Sequence, residues 1–212
     1  MFEGRKIAVF DCEIKKPIEQ LSNGWKSYDE MGVSCLCLYD YQSGRYRVFD
    51  DKNIEEGIQI LITYDFISGF NTVGFDWKLL LASYPNLGYI APDDLGRSRP
   101  SFFDSAPRHF DVLREIWISR CLDPYVFNPR THGGFKLDDV AADTIGMRKT
   151  LNGAQAPVLY QQGRLAEVID YCLEDVRIEK TLFEFACKYG YIVRNGQIIQ
   201  LNIPQELRLD AI

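Results

Sequence analysis

The spacing of apolar residues changes several times along the chain, and the changes mark its elements. Residues 6–10 form a short apolar run that meets Asp11, the pattern of a central strand ending in a polar site. Residues 31–39 and 45–49 read as a second and third strand joined by a turn at Gln42-Ser43-Gly44, so the chain opens as an antiparallel meander. Ile54, Ile58, Leu61 and Ile62 then recur at helical spacing behind Asp51 and Asn53, either of which can cap a helix start. Residues 66–70 return as a strand, and residues 75–84 have the length and stripe of a helix. Beyond a loop at 85–107, residues 109–113 read as a strand, followed by a short helix through Ser119. A Pro/Gly-rich loop at 122–134 precedes a helix at 137–145, a long helix at 165–189, and a closing hairpin at 191–201 turned by Asn195-Gly196. This order predicts an α/β fold, with a mixed sheet of an antiparallel meander plus parallel strands and helices on both sides. Residues 1–190 are expected to form one domain, with 191–212 a β-hairpin and tail packed on it.

Composition adds limits rather than a direction. Apolar residues make up 46% of the 212 and charged residues 25%, ordinary for a chain with a sizeable core. No run approaches the roughly 18 apolar residues of a membrane span, and the first six residues carry charge, so a cytoplasmic protein without membrane contact is expected. The six cysteines form no CxxC pair and fall mostly in apolar segments, as reduced, buried thiols do. A net charge of −6 disfavours a protein that grips a long stretch of phosphates by its surface alone. Two divalent cations among carboxylates would bring that charge to about −2 and concentrate the positive part where a phosphate sits.

Three short segments carry candidate chemistry. In Asp11-Cys12-Glu13, the period of two places both carboxylates on one face of a strand, a like-charge pair that a cation would relieve. Alone, the tripeptide is common enough to be an ordinary solvated pair. In the segment from Gly69 to Asp76, a strand runs into a turn and Asp76 opens a helix, where it could serve only the helix dipole, as Asn71 could serve only the turn. Tyr171 and Asp175 lie four residues apart on the long helix, one above the other. They fall beside the centre of a stripe formed by Leu165, Ile169, Cys172, Val176 and Phe183, the side expected to face the core.

Taken together, in this order and at these separations, the segments resemble the DEDD 3'-5' exonucleases of the ribonuclease H-like superfamily. The subtype is the one with tyrosine in its third motif, and within it the segments from Asn71 to Asp76 and from Tyr171 to Asp175 resemble the proofreading domains of family B DNA polymerases more than the RNA-trimming branch. Asp11 and Glu13 match the first motif, Asn71 with Phe75-Asp76 the second, and Tyr171 with Asp175 the third. Residues 109–117 and 135–147 resemble the family's intervening strand and helices, so the likeness runs from about residue 5 to 188. It implies a ribonuclease H-like sheet and a metal-dependent exonuclease that shortens a nucleic-acid strand from its 3' end, with DNA favoured over RNA. Asp11, Glu13, Asp76 and Asp175 are then the ligands of two Mg2+ or Mn2+ ions, about 4 Å apart in such sites. Tyr171 would orient the attacking water, since a phenol with a pKa near about 10 is a poor base at neutral pH. Asn71 and Phe75 would contact the substrate.

Two departures stand out. Ile14-Lys15-Lys16 follows Glu13 where many relatives carry a small or hydroxyl residue, and no polymerase portion accompanies the segments, which implies separate action or service to a replication or repair partner. His109 and His132 read as structural, and none of the scattered basic residues, Lys149 among them, is assigned to the substrate. Phe70, Trp25 and Trp77 could stack a base but are more often core. Two rival readings are an inactive ribonuclease H-fold module that binds nucleic acid or protein, and an endonuclease of the same superfamily.

Overall fold

In the computed structural model of the chain, residues 2, 4–85, 108–150 and 153–209 are described, so nearly all of the loop expected at 85–107, with Arg97 and Arg99, lies outside the described residues. Among the described residues the sheet has five strands: β1 (Ile7–Ile14), β2 (Val33–Asp40), β3 (Arg45–Asp50), β4 (Phe66–Gly69) and β5 (Arg108–Asp111), in the order β3-β2-β1-β4-β5. β1, β2 and β3 pair antiparallel, whereas β4 lies parallel to β1 and β5 parallel to β4, each reached through a helical crossover. The helices are α1 (Ile54–Leu61), α2 (Asp76–Ser83), α3 (Val112–Ser119), α4 (Leu137–Ile145), α5 (Ala156–Gln161) and α6 (Leu165–Tyr189), with four-residue helical turns at Tyr28–Met31 and Pro129–His132. The mixed α/β sheet flanked by helices is the architecture the apolar periods predict.

The pleat of β1 divides the interior in two. Ile7 and Val9 face α6 and pack in a core with Phe66, Phe110, Val176 and Phe183. Ala8, Phe10, Cys12 and Ile14 face the other way, into a core with Ile54, Ile58 and Leu61 of α1 and Trp77, Leu79 and Leu80 of α2. Burial on both faces explains why the strand reads as a continuous apolar run rather than an alternating one.

Contrary to the sequence expectation, β1 does not end at Asp11. The antiparallel ladder with β2 continues through Asp11↔Cys37, Cys12↔Leu36 and Glu13↔Cys35, whereas the parallel ladder with β4 stops at Val9↔Ser68. One edge of β1 is therefore open from Phe10 onward, and there the polar residues begin. A second correction concerns α1: Asn53 holds its N-cap position without a side-chain bond, and Asp51 instead accepts the Tyr160 hydroxyl at 2.9 Å.

The turn after β4 is held by a residue that the motifs do not include. Asp111, the N-cap of α3, accepts from the backbone N–H groups of Leu113 and Arg114 on its own helix. The same carboxylate takes the N–H of Asn71 at 2.9 Å and of Val73 at 3.0 Å, fixing the turn in which Asn71 adopts the left-handed conformation. Gly69 is needed just before it, because a Cβ there would lie 2.7 Å from the Phe10 carbonyl oxygen and 2.4 Å from the Thr72 methyl. The hairpin of β6 (Tyr191–Arg194) and β7 (Gln197–Gln200) forms a separate two-stranded sheet. Its Ile192 and Ile199 join the core under α6, and Thr144 of α4 bonds the Val193 carbonyl at 3.0 Å.

Replacing Asp111 with alanine removes one cap and leaves buried N–H groups of the turn unpaired, so Asp111→Ala is expected to lower the unfolding free energy by about 2–4 kcal/mol. The urea midpoint at unchanged slope reads this directly, and a loss below about 0.5 kcal/mol contradicts the stapling role.

Candidate active site

The open edge of β1 collects acidic side chains from three elements. Asp11 and Glu13 project from the strand on the α6 side, and Asp175 of α6 meets them there: one carboxylate oxygen from each lies within 4.8 Å of the others. Asp76 approaches along the open edge, where β4 no longer supplies a partner, and its Oδ1 accepts the Cys12 backbone N–H and thiol, both at 3.3 Å. Its position at the start of α2 thus serves more than the helix dipole. Cys172 of α6 donates its thiol to the Asp11 carbonyl at 3.4 Å, tying the helix to the strand at the site itself.

On α6, Tyr171 and Asp175 are both buried, although the apolar stripe places them off centre. The buried face runs through Val168, Tyr171, Cys172, Asp175, Val176 and Glu179, because part of what α6 covers is the polar site rather than the core. Leu165 and Ile169, counted in the stripe, are only half-buried. Lys149 closes the arrangement: its ammonium donates to Asp175 Oδ2 at 2.5 Å and to the Tyr171 hydroxyl at 3.2 Å. The segment that carries it is fixed from both sides. Asp138 of α4 accepts the Lys149 backbone N–H at 2.7 Å, and the Thr150 hydroxyl donates to Glu174 at 2.5 Å.

Electrostatics follows from this crowding. Burial, and then the neighbouring Asp76, Glu13 and Asp175, push the Asp11 carboxyl well above the carboxylate range. Burial does the same to Glu13, raises Asp175 against the pull of Lys149, and raises Asp76 to about 7 against the hydrogen bonds from Cys12. Glu179, one turn beyond Asp175, is a further buried carboxyl raised first by burial and then by the charges of Asp11 and Asp76. The Tyr171 phenol is raised by burial and by Asp175. Burial works against charge on Lys149, yet Asp175, Tyr171 and Asp11 together hold its pKa above the lysine value. The donor set is all oxygen, and Asp175 Oδ1 is buried with no hydrogen-bond partner, the condition that a hard divalent cation would satisfy. Asp11, Glu13 and Asp175 therefore fit such an ion, with Asp76 beside them.

Asn71 and Phe75, the other two residues singled out in the sequence, stand in and beside the stapled turn on the wall of a neighbouring cavity rather than in the carboxylate cluster. Of the aromatics that could meet a base, Trp77 and Phe70 are core, whereas Trp25 is exposed. His109 is half-buried against Trp77, and desolvation of its ring lowers its pKa to about 3. His132 bonds the Asp123 carbonyl at 2.9 Å through Nε2, so neither imidazole lies in the cluster. The six cysteines are free, with Cys121 exposed and the other five buried.

Lys149, Glu179 and Asp111 are the site residues that the sequence motifs leave out. Glu179 had a signal, since Tyr171, Asp175 and Glu179 repeat at intervals of four on one helix face. Lys149 had none, sitting between Arg148 and Thr150 in an ordinary polar stretch.

The five-stranded mixed sheet with acids gathered beside its central strand is that of a ribonuclease H-like protein. A family model described as the RNase_H superfamily matches residues 25–187, and the chain belongs to that superfamily. The matched stretch contains Asp76, Tyr171 and Asp175, while Asp11 and Glu13 lie just upstream of it. The chain is 26% identical over 130 residues to the DNA polymerase catalytic subunit of equine herpesvirus 1, strains Ab4p and V592, across 56% of its own length and 11% of theirs. Its fold is similar to the family B DNA polymerase of the archaeon Pyrobaculum calidifontis, with a TM-score of 0.58 and 20% identity over 86% of this chain and 25% of that one. Among the described residues, no helix is long and apolar enough to cross a membrane.

The raised carboxyls set the pH response of the metal-free protein. Each binds its proton more tightly folded than unfolded, so its contribution is fully present below the unfolded value, 3.8 for Asp or 4.5 for Glu. That contribution is lost as the pH climbs through the folded value, about 7 for Asp76. In EDTA, the melting temperature is therefore expected to fall between pH 5 and pH 8, and Glu179→Gln to flatten the fall. A melting temperature that rises over that interval contradicts the assignment.

Proposed function

We propose that this chain is a metal-dependent 3'-5' exonuclease that hydrolyses phosphodiester bonds from the 3' end of a nucleic-acid strand, single-stranded DNA in preference to RNA. The observation that carries the reading is the convergence of Asp11, Glu13 and Asp175 within 4.8 Å at the open edge of β1, with Asp76 beside them. Superfamily membership and the similarity to stretches of DNA polymerases support it. We further assign residues 1–190 to the exonuclease domain and 191–212 to a hairpin and tail added to it.

Asp11, Glu13, Asp76 and Asp175 would hold Mg2+ or Mn2+, two ions in this reading, which supply electrostatic stabilisation for the charge that develops on a phosphoryl group during transfer. The chain's own groups do the rest. Tyr171, its phenol raised by burial and by Asp175, keeps its proton at neutral pH, so it positions the attacking water by a hydrogen bond instead of acting as a base. Lys149 holds both the phenol and Asp175 in place and adds a fixed positive charge at the point where a phosphate approaches. Asn71 and Phe75, on the turn stapled by Asp111, present a polar and an aromatic group to the terminal nucleotide.

The test uses 5'-labelled single-stranded DNA and RNA, each with a free or a blocked 3' end, in Mg2+ or Mn2+. A ladder of shortening products from the free end is expected, with Asp11→Asn and Asp175→Asn each slowing it by at least about a thousand-fold. Cleavage of blocked and circular strands would identify an endonuclease instead. Binding without any cleavage in either metal would leave an inactive binding module.

Loss of Lys149 should act on rate more than on binding. Lys149→Met is expected to lower kcat by about 10²-fold while leaving KM within a factor of about three, as for removal of one preorganised electrostatic group. An unchanged kcat in steady-state kinetics would contradict its role.

A further inference from the structure

Three of the five buried cysteines gather beside the carboxylate cluster. Cys35 and Cys37 lie two residues apart on β2, so the pleat turns both to the α6 side, where Cys172 of α6 meets them. The three sulfur atoms lie within 4.8 Å of one another, and all three side chains are fully buried. None of the three is tied in a disulfide. The other buried cysteines stand apart: Cys12 faces the opposite core, and Cys187 lies near the far end of α6.

Small buried thiols often serve only as apolar filling. Two features set this group apart. First, the sulfurs converge from a strand and a helix at nearly the spacing of a tetrahedral thiolate site, where metal–sulfur bonds of about 2.3 Å put the sulfurs about 3.8 Å apart. Second, an oxygen donor already borders them. Asp11 lies opposite Cys37 and Glu13 opposite Cys35 across β1 and β2, and the Cys172 sulfur stands 3.4 Å from the Asp11 carbonyl oxygen and 3.5 Å from Asp11 Oδ2. The oxygen and sulfur sets are thus neighbouring patches of one buried face, joined at Asp11. Their chemistry sorts cations, since oxygens suit Mg2+ and Mn2+ whereas thiolates select softer ions.

We infer that Cys35, Cys37 and Cys172 form a thiolate site for a soft divalent cation of the Zn2+ class, with Asp11 Oδ2 as the fourth donor. On binding, each thiol gives up its proton to solvent as its sulfur–metal bond forms, and the ion takes the place of the proton that Cys172 directs at Asp11. The tie between α6 and β1 is then made through the metal. Asp11 becomes a donor that the soft site shares with the carboxylate cluster beside it. The inference goes beyond the proposed exonuclease and does not depend on it, because thiolate ligation is read without any nucleic acid.

The experiment titrates the full chain, reduced and freed of metal with EDTA, with Co2+ as a spectroscopic substitute for Zn2+. It reads the near-ultraviolet sulfur-to-cobalt charge-transfer band, which carboxylate ligands do not produce. A single equivalent is expected to saturate a band with the intensity of three thiolate bonds, and added Zn2+ to bleach it stoichiometrically. Cys35→Ala and Cys37→Ala, checked for folding by circular dichroism, should each weaken Co2+ binding at least about a hundredfold, and Asp11→Ala about tenfold with the thiolate band retained. Cys121→Ala, at the exposed cysteine, should leave the titration unchanged. No charge-transfer band in the wild type, a band with the intensity of one thiolate, or unweakened binding in Cys35→Ala, Cys37→Ala or Asp11→Ala overturns the inference. So does a band lost in Cys121→Ala, which places the ion at the surface. The wild-type intensity counts the thiolates by itself, so the test decides even where an alanine variant fails to fold.

Discussion

Everything at the centre of this molecule depends on carboxyl groups crowded together, Asp76, Asp175 and Glu179 buried and Asp11 and Glu13 half-buried. Asp11, Glu13, Asp76, Asp175 and Glu179 each have a raised pKa, with burial as the first cause in every case. Two like charges 4 Å apart repel by about 4 kcal/mol at an effective dielectric constant near 20, so such a group survives folding only if protonated or compensated. The ammonium of Lys149 compensates Asp175 in part, and Asp175 Oδ1 still lacks a partner. The arrangement is costly as a scaffold and makes physical sense as a cation site.

The fold positions this cluster by a mismatch between two ladders. β2 pairs with β1 through Glu13, but β4 leaves it after Val9, and Gly69 lets the chain turn away tightly against Phe10. The freed edge of β1 is where Asp76 takes the Cys12 N–H that a strand would otherwise have paired. α6 then crosses beneath, and its Cys172 thiol joins Asp11 while its Asp175 joins Glu13 and Asp11. Asp111 makes the turn rigid, and a rigid turn is what holds Asn71 and Phe75 at a fixed offset from the carboxylates.

Most of the architecture was legible in the sequence because the apolar periods are long and regular. The long helix at 165–189, the helix at 137–145 and the Asn195-Gly196 hairpin appear where the pattern places them. The end of β1 was misjudged because a strand that passes into a polar site loses its apolar signal while its backbone ladder goes on. Tyr171 and Asp175 were displaced from the buried face for the same reason, since an apolar stripe cannot register a helix face buried against carboxylates. Lys149 reaches Asp175 across 26 residues of chain, and a contact made only by the fold leaves no spacing to read. Asp111 was not singled out, because residues 109–113 read as one strand, and its task on the turn at 71–73 depends on β4 and β5 lying side by side.

The most direct test of this account is a crystal of the full chain grown with Mn2+ and measured at a wavelength where manganese scatters anomalously. Anomalous peaks are expected within about 2.0–2.3 Å of the carboxylate oxygens of Asp11, Glu13 and Asp175, one of them satisfying Asp175 Oδ1. Ordered carboxylates with no anomalous peak among them, at millimolar Mn2+ and neutral pH, would contradict the claim that this cluster is built around a cation.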